Sequence, residues 1–256
     1  MPRTPLLLLT CATVAAVAAP SSAADSSCLA RSGSTAAPVV ELYTSEGCNS
    51  CPPADRWLSR VKADSTTVAL AFHVDYWDRL GWKDRFASPA YTERQALQQA
   101  VNGARFSYTP QVVVDGVDRK DWYGQTAPPN GPAPAAASVT LTLQRDGETF
   151  KATVLPLVAT PTGRAAPARL AAFWAVTEQG HASDVKAGEN QGVTLKHDFV
   201  VRAYQPVAAW AAQPGSPVTL SFSPAHANDP SHPRGINLVV LDATSGRPVQ
   251  ALKLGY

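Results

Sequence analysis

The chain has 256 residues, 45% of them hydrophobic and 16% charged, with a formal net charge of +2. The charges are spread without basic blocks, which excludes a nucleic-acid footprint and a polybasic membrane patch. The length is enough for two domains of ordinary size or one large one.

At the N-terminus, Arg3 supplies a positive end, residues 6–19 an apolar stretch and Ser22-Ala23-Ala24 a small-residue cleavage site. Residues 1–24 therefore read as an export signal peptide. Thr10 and Thr13 interrupt the stretch and Pro20 ends it, short of the ~20 residues that span a bilayer. Cleavage is expected, leaving no membrane anchor and a periplasmic or secreted protein. An oxidising compartment lets the three remaining cysteines, Cys28, Cys48 and Cys51, pair or exchange. Cys48 and Cys51 are close in sequence, so Cys28 is the leftover, a free thiol or a partner in an intermolecular or alternative bond. It lies among serines in residues 25–37, which read as a flexible leader.

Residues 38–43 form a short apolar strand that enters a turn at 44–48. A helix follows, with Ala54, Trp57, Leu58 and Val61 on an apolar face and Asp55, Arg56, Arg60 and Lys62 on the other. Pro52 and Pro53 fit its first turn, where a missing N–H costs little. Residues 67–74 are continuously apolar, the pattern of a central strand buried on both faces. Ser88 and Pro89 start a second helix and Asn102-Gly103 closes it. Residues 111–114 followed by Asp115-Gly116 read as a strand entering a hairpin.

Residues 124–137 carry Pro128, Pro129, Pro132 and Pro134 and read as a linker between domains at 38–123 and 138–256. Beyond it, Val139, Leu141 and Leu143 alternate with polar residues up to Asp146-Gly147, then Phe150, Ala152 and Val154 alternate again, a hairpin signal. Further strand-like runs at 170–176, 193–204, 218–222, 236–241 and 249–254 predict a small antiparallel β-sandwich.

Chemistry concentrates in Cys48-Asn49-Ser50-Cys51, placed where a strand turns into a helix. A helix N-terminus carries roughly half a positive charge, which stabilises a thiolate. Cys48 is the candidate attacking sulfur and Cys51, one turn deeper, the candidate resolving sulfur. The same spacing also fits an inert structural disulfide, or half of a copper or zinc site completed by His73; no second such pair is present. Thr109-Pro110 precedes the strand at 111–114, where thioredoxin-like proteins place a cis-proline against the cysteine pair. A cis bond there would leave the N–H and C=O of Thr109 free for an extended substrate peptide; an ordinary trans proline at a strand start is the plainer alternative. His73 and Asp75, near the end of the central strand, are accessory candidates for relaying protons or holding a metal. Tyr76, Trp77, Trp82, Phe86 and Trp122 fit core packing better than a groove wall. Glu189, Asn190 and Arg202 fit a polar cluster and a solvated loop equally well.

The stretch from Glu41 to Asp55, together with His73-Val74-Asp75-Tyr76-Trp77-Asp78, Leu80-Gly81-Trp82, Tyr108-Thr109-Pro110-Gln111, Gly188-Glu189-Asn190-Gln191-Gly192 and Val200-Val201-Arg202, resembles an uncharacterised family of bacterial secreted proteins. That family, domain of unknown function 1223, has a thioredoxin-like core and no established reaction. The resemblance implies an α/β thioredoxin-like domain followed by a small all-β antiparallel sandwich domain. Asn49-Ser50 stands where thioredoxin has Gly-Pro, and Glu46 adds a negative charge near Cys48, which argues against a strongly oxidising protein. The expected function is disulfide exchange on an exported protein or small thiol, with an unidentified redox partner, no organic cofactor and no resident metal. The competing class is a non-catalytic module that binds copper or zinc or carries an inert disulfide.

Overall fold

A computed structural model of the chain describes residues 28–124, 135–159, 166–226 and 228–255. The signal peptide expected over 1–24 lies outside them, as does most of the linker. In the first half, β1 (Leu29–Arg31) and β2 (Val39–Thr44) precede α1 (Pro52–Ser59); then come β3 (Val68–His73), α2 (Pro89–Val101), β4 (Gln111–Val114) and β5 (Val117–Asp118). The second half is strand throughout: β6 (Val139–Asp146), β7 (Thr149–Pro156), β8 (Arg169–Glu178), β9 (His181–Asp184), β10 (Thr194–His197), β11 (Val200–Ala211), β12 (Val218–Phe222), β13 (Arg234–Asp242) and β14 (Pro248–Gly255).

These strands do not separate into an α/β thioredoxin-like domain and a small sandwich. Strand predominates, the described residues hold two α-helices, and one eight-stranded sheet of order β14-β13-β8-β11-β3-β2-β4-β5 runs through both halves. The join is β11 against β3, parallel, with Val200 opposite Ala71 and the Ala71 N–H donating to the Phe199 carbonyl at 2.8 Å. Without β11, the fully buried β3 would be an edge strand with open backbone groups, an unstable way to end a sheet. The strands expected to stand apart as a sandwich cover that edge instead.

The leader is corrected as well. β1 pairs antiparallel with β6, Ala30 opposite Leu143, and starts a second sheet of order β1-β6-β7-β12. Cys28 is free and exposed at its start.

Alternation along β8 explains how one sheet serves two cores. Leu170, Ala172, Trp174 and Val176 face the four-stranded sheet and meet Val139, Leu141, Phe150 and Phe222. Phe173 and Ala175 face the other way, toward Tyr43, Leu70, Phe72 and Tyr91. With a period of two, a strand buried on both faces must be apolar throughout. A third core forms where Ala54, Trp57, Leu58 and Val61 from α1 and its extension pack on Val40, Leu42, Ala69 and Ala71.

α2 buries Tyr91, Arg94, Gln95 and Gln98, a helical stripe that is mostly polar. It is matched by Glu41 of β2, whose carboxylate accepts from Arg94 Nε at 3.0 Å, Arg94 Nη2 at 2.8 Å, the Tyr43 hydroxyl at 2.6 Å and Gln98 Nε2 at 3.2 Å. The run read as one strand at 193–204 is two. Phe199 takes a positive φ of 56°, and the Asp198 carboxylate accepts from the Gly180 N–H, so β10 stops and β11 restarts. β9 and β10 form a separate two-stranded hairpin.

Candidate functional site

β2 delivers the chain into a tight turn in which the Cys48 N–H donates to the Ser45 carbonyl and the Cys51 N–H to the Cys48 carbonyl. Cys51 is the N-cap of α1, with Pro52 and Pro53 opening the helix where an N–H is dispensable. Cys48 and Cys51 form a disulfide, with Ser50 Oγ 3.3 Å from the Cys48 sulfur. Both cysteines are 0% exposed, whereas Asn49 and Ser50 between them face solvent.

The tip of the β9–β10 hairpin is bonded to the backbone of this turn. Asn190 Nδ2 donates to the Glu46 carbonyl at 2.8 Å and to the Cys48 carbonyl at 3.0 Å, and the Glu189 carboxylate accepts from the Asn49 N–H at 3.2 Å. Both residues cover the disulfide turn, which a reading of Glu189 as an ordinary solvated loop residue misses. Arg202 is elsewhere, with its Nε 3.3 Å from the Glu178 carboxylate.

Beneath the turn lies a buried acid–base cluster. Glu46, His73, Asp84, Asp55 and His197 are all nearly inaccessible. His73 Nδ1 is 2.6 Å from Asp84 Oδ2, the same oxygen that accepts from the Glu46 N–H at 2.9 Å. Glu46 takes a hydrogen bond from Trp82 Nε1 at 2.7 Å and lies 3.4 Å from His197 Nε2, an electrostatic contact. The other imidazole nitrogen of His197 is 4.0 Å from Asp55 Oδ1, while Thr44 Oγ1 donates to Asp55 Oδ2. The rings of His73 and His197 are 4.9 Å apart, edge to face.

Burial and partners sort the charges. Burial raises the Asp55 carboxyl above its usual range, and His197, His73 and Thr44 do not offset it. Burial pushes Glu46 the same way, but contacts from His197, Ser183 and Trp82 outweigh it and its pKa falls. For His73 burial opposes the charge, yet Asp84 carries the imidazole above its ordinary value. Asp84, also desolvated, is held low by His73. A histidine–carboxylate pair whose partners favour each other's charged form, beside a carboxyl shifted toward its neutral form, is a set of groups able to hold or release protons.

The helical wheel needs one correction. Asp55, assigned to the polar face of α1, is only 6% exposed. It follows Cys51 by four residues and precedes Leu58 by three, which puts it on the buried stripe. The spacing from Cys51 was the available signal. His197 and Asp84 carried no such signal, because only tertiary pairing brings them under the turn.

Of the accessory candidates, His73 joins this cluster and Asp75 does not. Asp75 is tied to α2 by the Thr92 hydroxyl at 2.6 Å. The Thr109–Pro110 bond is cis. Thr109 reaches the cysteine turn through Trp77, whose Nε1 donates to Thr109 Oγ1 at 2.8 Å; a Cβ on Gly47 would lie 3.1 Å from Trp77 Cβ. Tyr76, Trp77 and Trp82 are half-buried rim residues, and Phe86 is a core residue between the His73, His181 and His197 rings. Trp122 packs edge-on against Trp57. Among the described residues no group of three or more His, Cys, Asp or Glu is arranged to hold a metal ion.

The family described as protein of unknown function DUF1223 matches residues 39–240, from β2 into β13. The chain belongs to that family. It is similar to a crystal structure of a protein from Agrobacterium tumefaciens, at 26% identity and a TM-score of 0.59, over 87% of this chain and 96% of that one. That likeness takes in both halves, in keeping with the shared sheet. A second structure, HBP35 of Porphyromonas gingivalis, is 11% identical with a TM-score of 0.58 over 87% of this chain and 76% of its own, a likeness of fold alone. No curated protein matches the chain.

Proposed function

We propose that this DUF1223 protein is a thiol–disulfide exchange protein of an oxidising compartment outside the cytoplasm, with Cys48 and Cys51 as its redox couple. The observation that supports this most is the acid–base cluster beneath the disulfide. Burying ionisable groups costs several kcal/mol each unless they are paired, on the order of the whole stability of a domain, and a structural staple has no use for them. Reduction does. An incoming dithiol gives up two electrons and two protons and becomes a disulfide, while the Cys48–Cys51 bond breaks and each sulfur takes a proton. In this reading the cluster supplies those protons, with Asp55, one turn after Cys51 on α1, handling one.

In this reading a substrate thiolate attacks the Cys48 sulfur, releasing Cys51, or Cys48 as a thiolate attacks a substrate disulfide and Cys51 resolves the mixed disulfide. Thr109 would lie along the docked substrate backbone. The burial of both sulfurs favours one competing reading, an inert disulfide that pins the turn to α1.

A redox titration with trapping separates the two. Exchange predicts a midpoint potential within the span of cellular thiol couples, about −120 to −300 mV, and mixed disulfides accumulating on Cys48 in Cys51→Ser. A potential well below that span, with no adduct on Cys48 in Cys51→Ser, leaves the inert staple.

A further inference from the structure

The backbone on either side of Cys48 is bonded to a hairpin that pairs with neither larger sheet. β9 and β10 span four residues each and pair only with each other. A two-stranded hairpin is marginal by itself in water, so this one holds its place by what it touches. It leaves the large sheet and returns to it through two left-handed residues, Gly180 at φ 72° and Phe199 at φ 56°. Its tip carries two more, Gly188 and Gly192 at φ 75° and 83°. A Cβ on Gly188 would approach Trp82 Cβ to 3.3 Å, which shows how closely the tip is seated.

The attachments at the tip are few and specific. Asn190 spends both amide hydrogens on the Glu46 and Cys48 carbonyls, and Glu189 takes the Asn49 N–H. A substrate polypeptide approaching the disulfide meets those same groups already occupied. Along the body, Val185 and Leu195 are buried, and Arg85 donates to the Ala182 carbonyl from the neighbouring loop. His197, at the base, contacts Glu46 and Asp55.

We propose that residues 181–197 form a flap that closes over the Cys48–Cys51 disulfide, hinged near Gly180 and Phe199, with Asn190 as its latch and Glu189 as a weaker second catch. The flap limits exchange because both sulfurs are inaccessible until the tip lifts. The inference rests on the reading of the disulfide as an exchanging one, but it is tested separately from it. Local opening of this kind exposes a buried group without global unfolding.

The test is the rate at which dithiothreitol reduces the disulfide in the full chain. Asn190→Ala removes two hydrogen bonds to backbone carbonyls, and reduction should accelerate roughly tenfold, as such bonds are worth in closing a local equilibrium. Glu189→Ala, at an exposed position that does not threaten folding, should accelerate it by about threefold. Thermal unfolding of each variant shows whether the faster rate comes from the flap or from a destabilised whole. Reduction at the unaltered rate in both variants overturns the flap. A midpoint potential far below the cellular couples overturns exchange and leaves the flap standing, so the two failures are distinguishable.

Discussion

Replacing Arg94 by Met tests the shared sheet through its most exposed assumption, that the polar stripe of α2 is sealed. The Arg94 guanidinium meets Glu41 through two hydrogen bonds, and the two side chains are 4% and 1% exposed. It also lies 4.4 Å over the Phe173 ring of β8, so the pair ties the first half to the second. Met fills much of the volume but leaves the Glu41 carboxylate with only the Tyr43 hydroxyl and Gln98 amide. Removing one partner of a buried ion pair costs about 3–5 kcal/mol. At about 2–4 °C per kcal/mol for a protein of this size, the midpoint of thermal unfolding should fall by roughly 6–20 °C. Circular dichroism of the oxidised protein should record this in a single transition, and Arg94→Met with Glu41→Leu should recover most of the loss, since apolar pairs replace buried ion pairs well. A loss below about 1 kcal/mol would mean that water reaches Glu41. Two transitions, with only the first displaced, would mean that the halves fold apart and the shared sheet is wrong.

Two further outcomes concern the cluster under the disulfide. In Asp55→Asn, the plot of midpoint potential against pH should lose the inflection contributed by Asp55 and run at about 60 mV per pH unit, two protons with two electrons; superimposable curves would show that Asp55 does not exchange protons with the couple. The His73–Asp84 pair should give a stability window. The raised pKa of His73 contributes stability that is complete below its ordinary 6.5 and lost as pH rises through the folded value. The depressed pKa of Asp84 contributes stability present above its ordinary 3.8 and lost as pH falls through the folded value. Both contributions are in place between about pH 4 and 6.5, and Asp84→Asn should flatten that maximum in denaturant titrations; a wild-type profile level from pH 4 to 8 would refute it.

What could be read from the chain was local. The proline pair opening α1, the unbroken apolar run of β3, and Ser88 and Asn102-Gly103 bounding α2 are short-range signals, and each element forms where they put it. The Asp146-Gly147 hairpin between β6 and β7 is another. The misses are non-local. Nothing in 200–204 announces that Val200 will lie beside Ala71, more than a hundred residues earlier, and a parallel join has no turn to mark it. The α2 stripe of Arg94, Gln95 and Gln98 reads as solvent-facing until Glu41 is placed opposite it. Phe199 hides a break inside a strand-like run, because a left-handed aromatic residue has no signature in composition.

These misses converge on one place, and that has a consequence for the site. Cys48, Cys51, Glu46 and Asp55 come from the first half, whereas His197 and Asn190 come from the second, carried there by the same strand break that ends β10 and starts β11 against β3. The join that closes the sheet edge also seats the hairpin on the disulfide. Residues 38–123 alone would therefore keep the cysteine pair but lack the imidazole between Glu46 and Asp55 and the amide that holds the Cys48 carbonyl. The second half thus supplies His197 to the buried cluster and Asn190 to the cysteine turn.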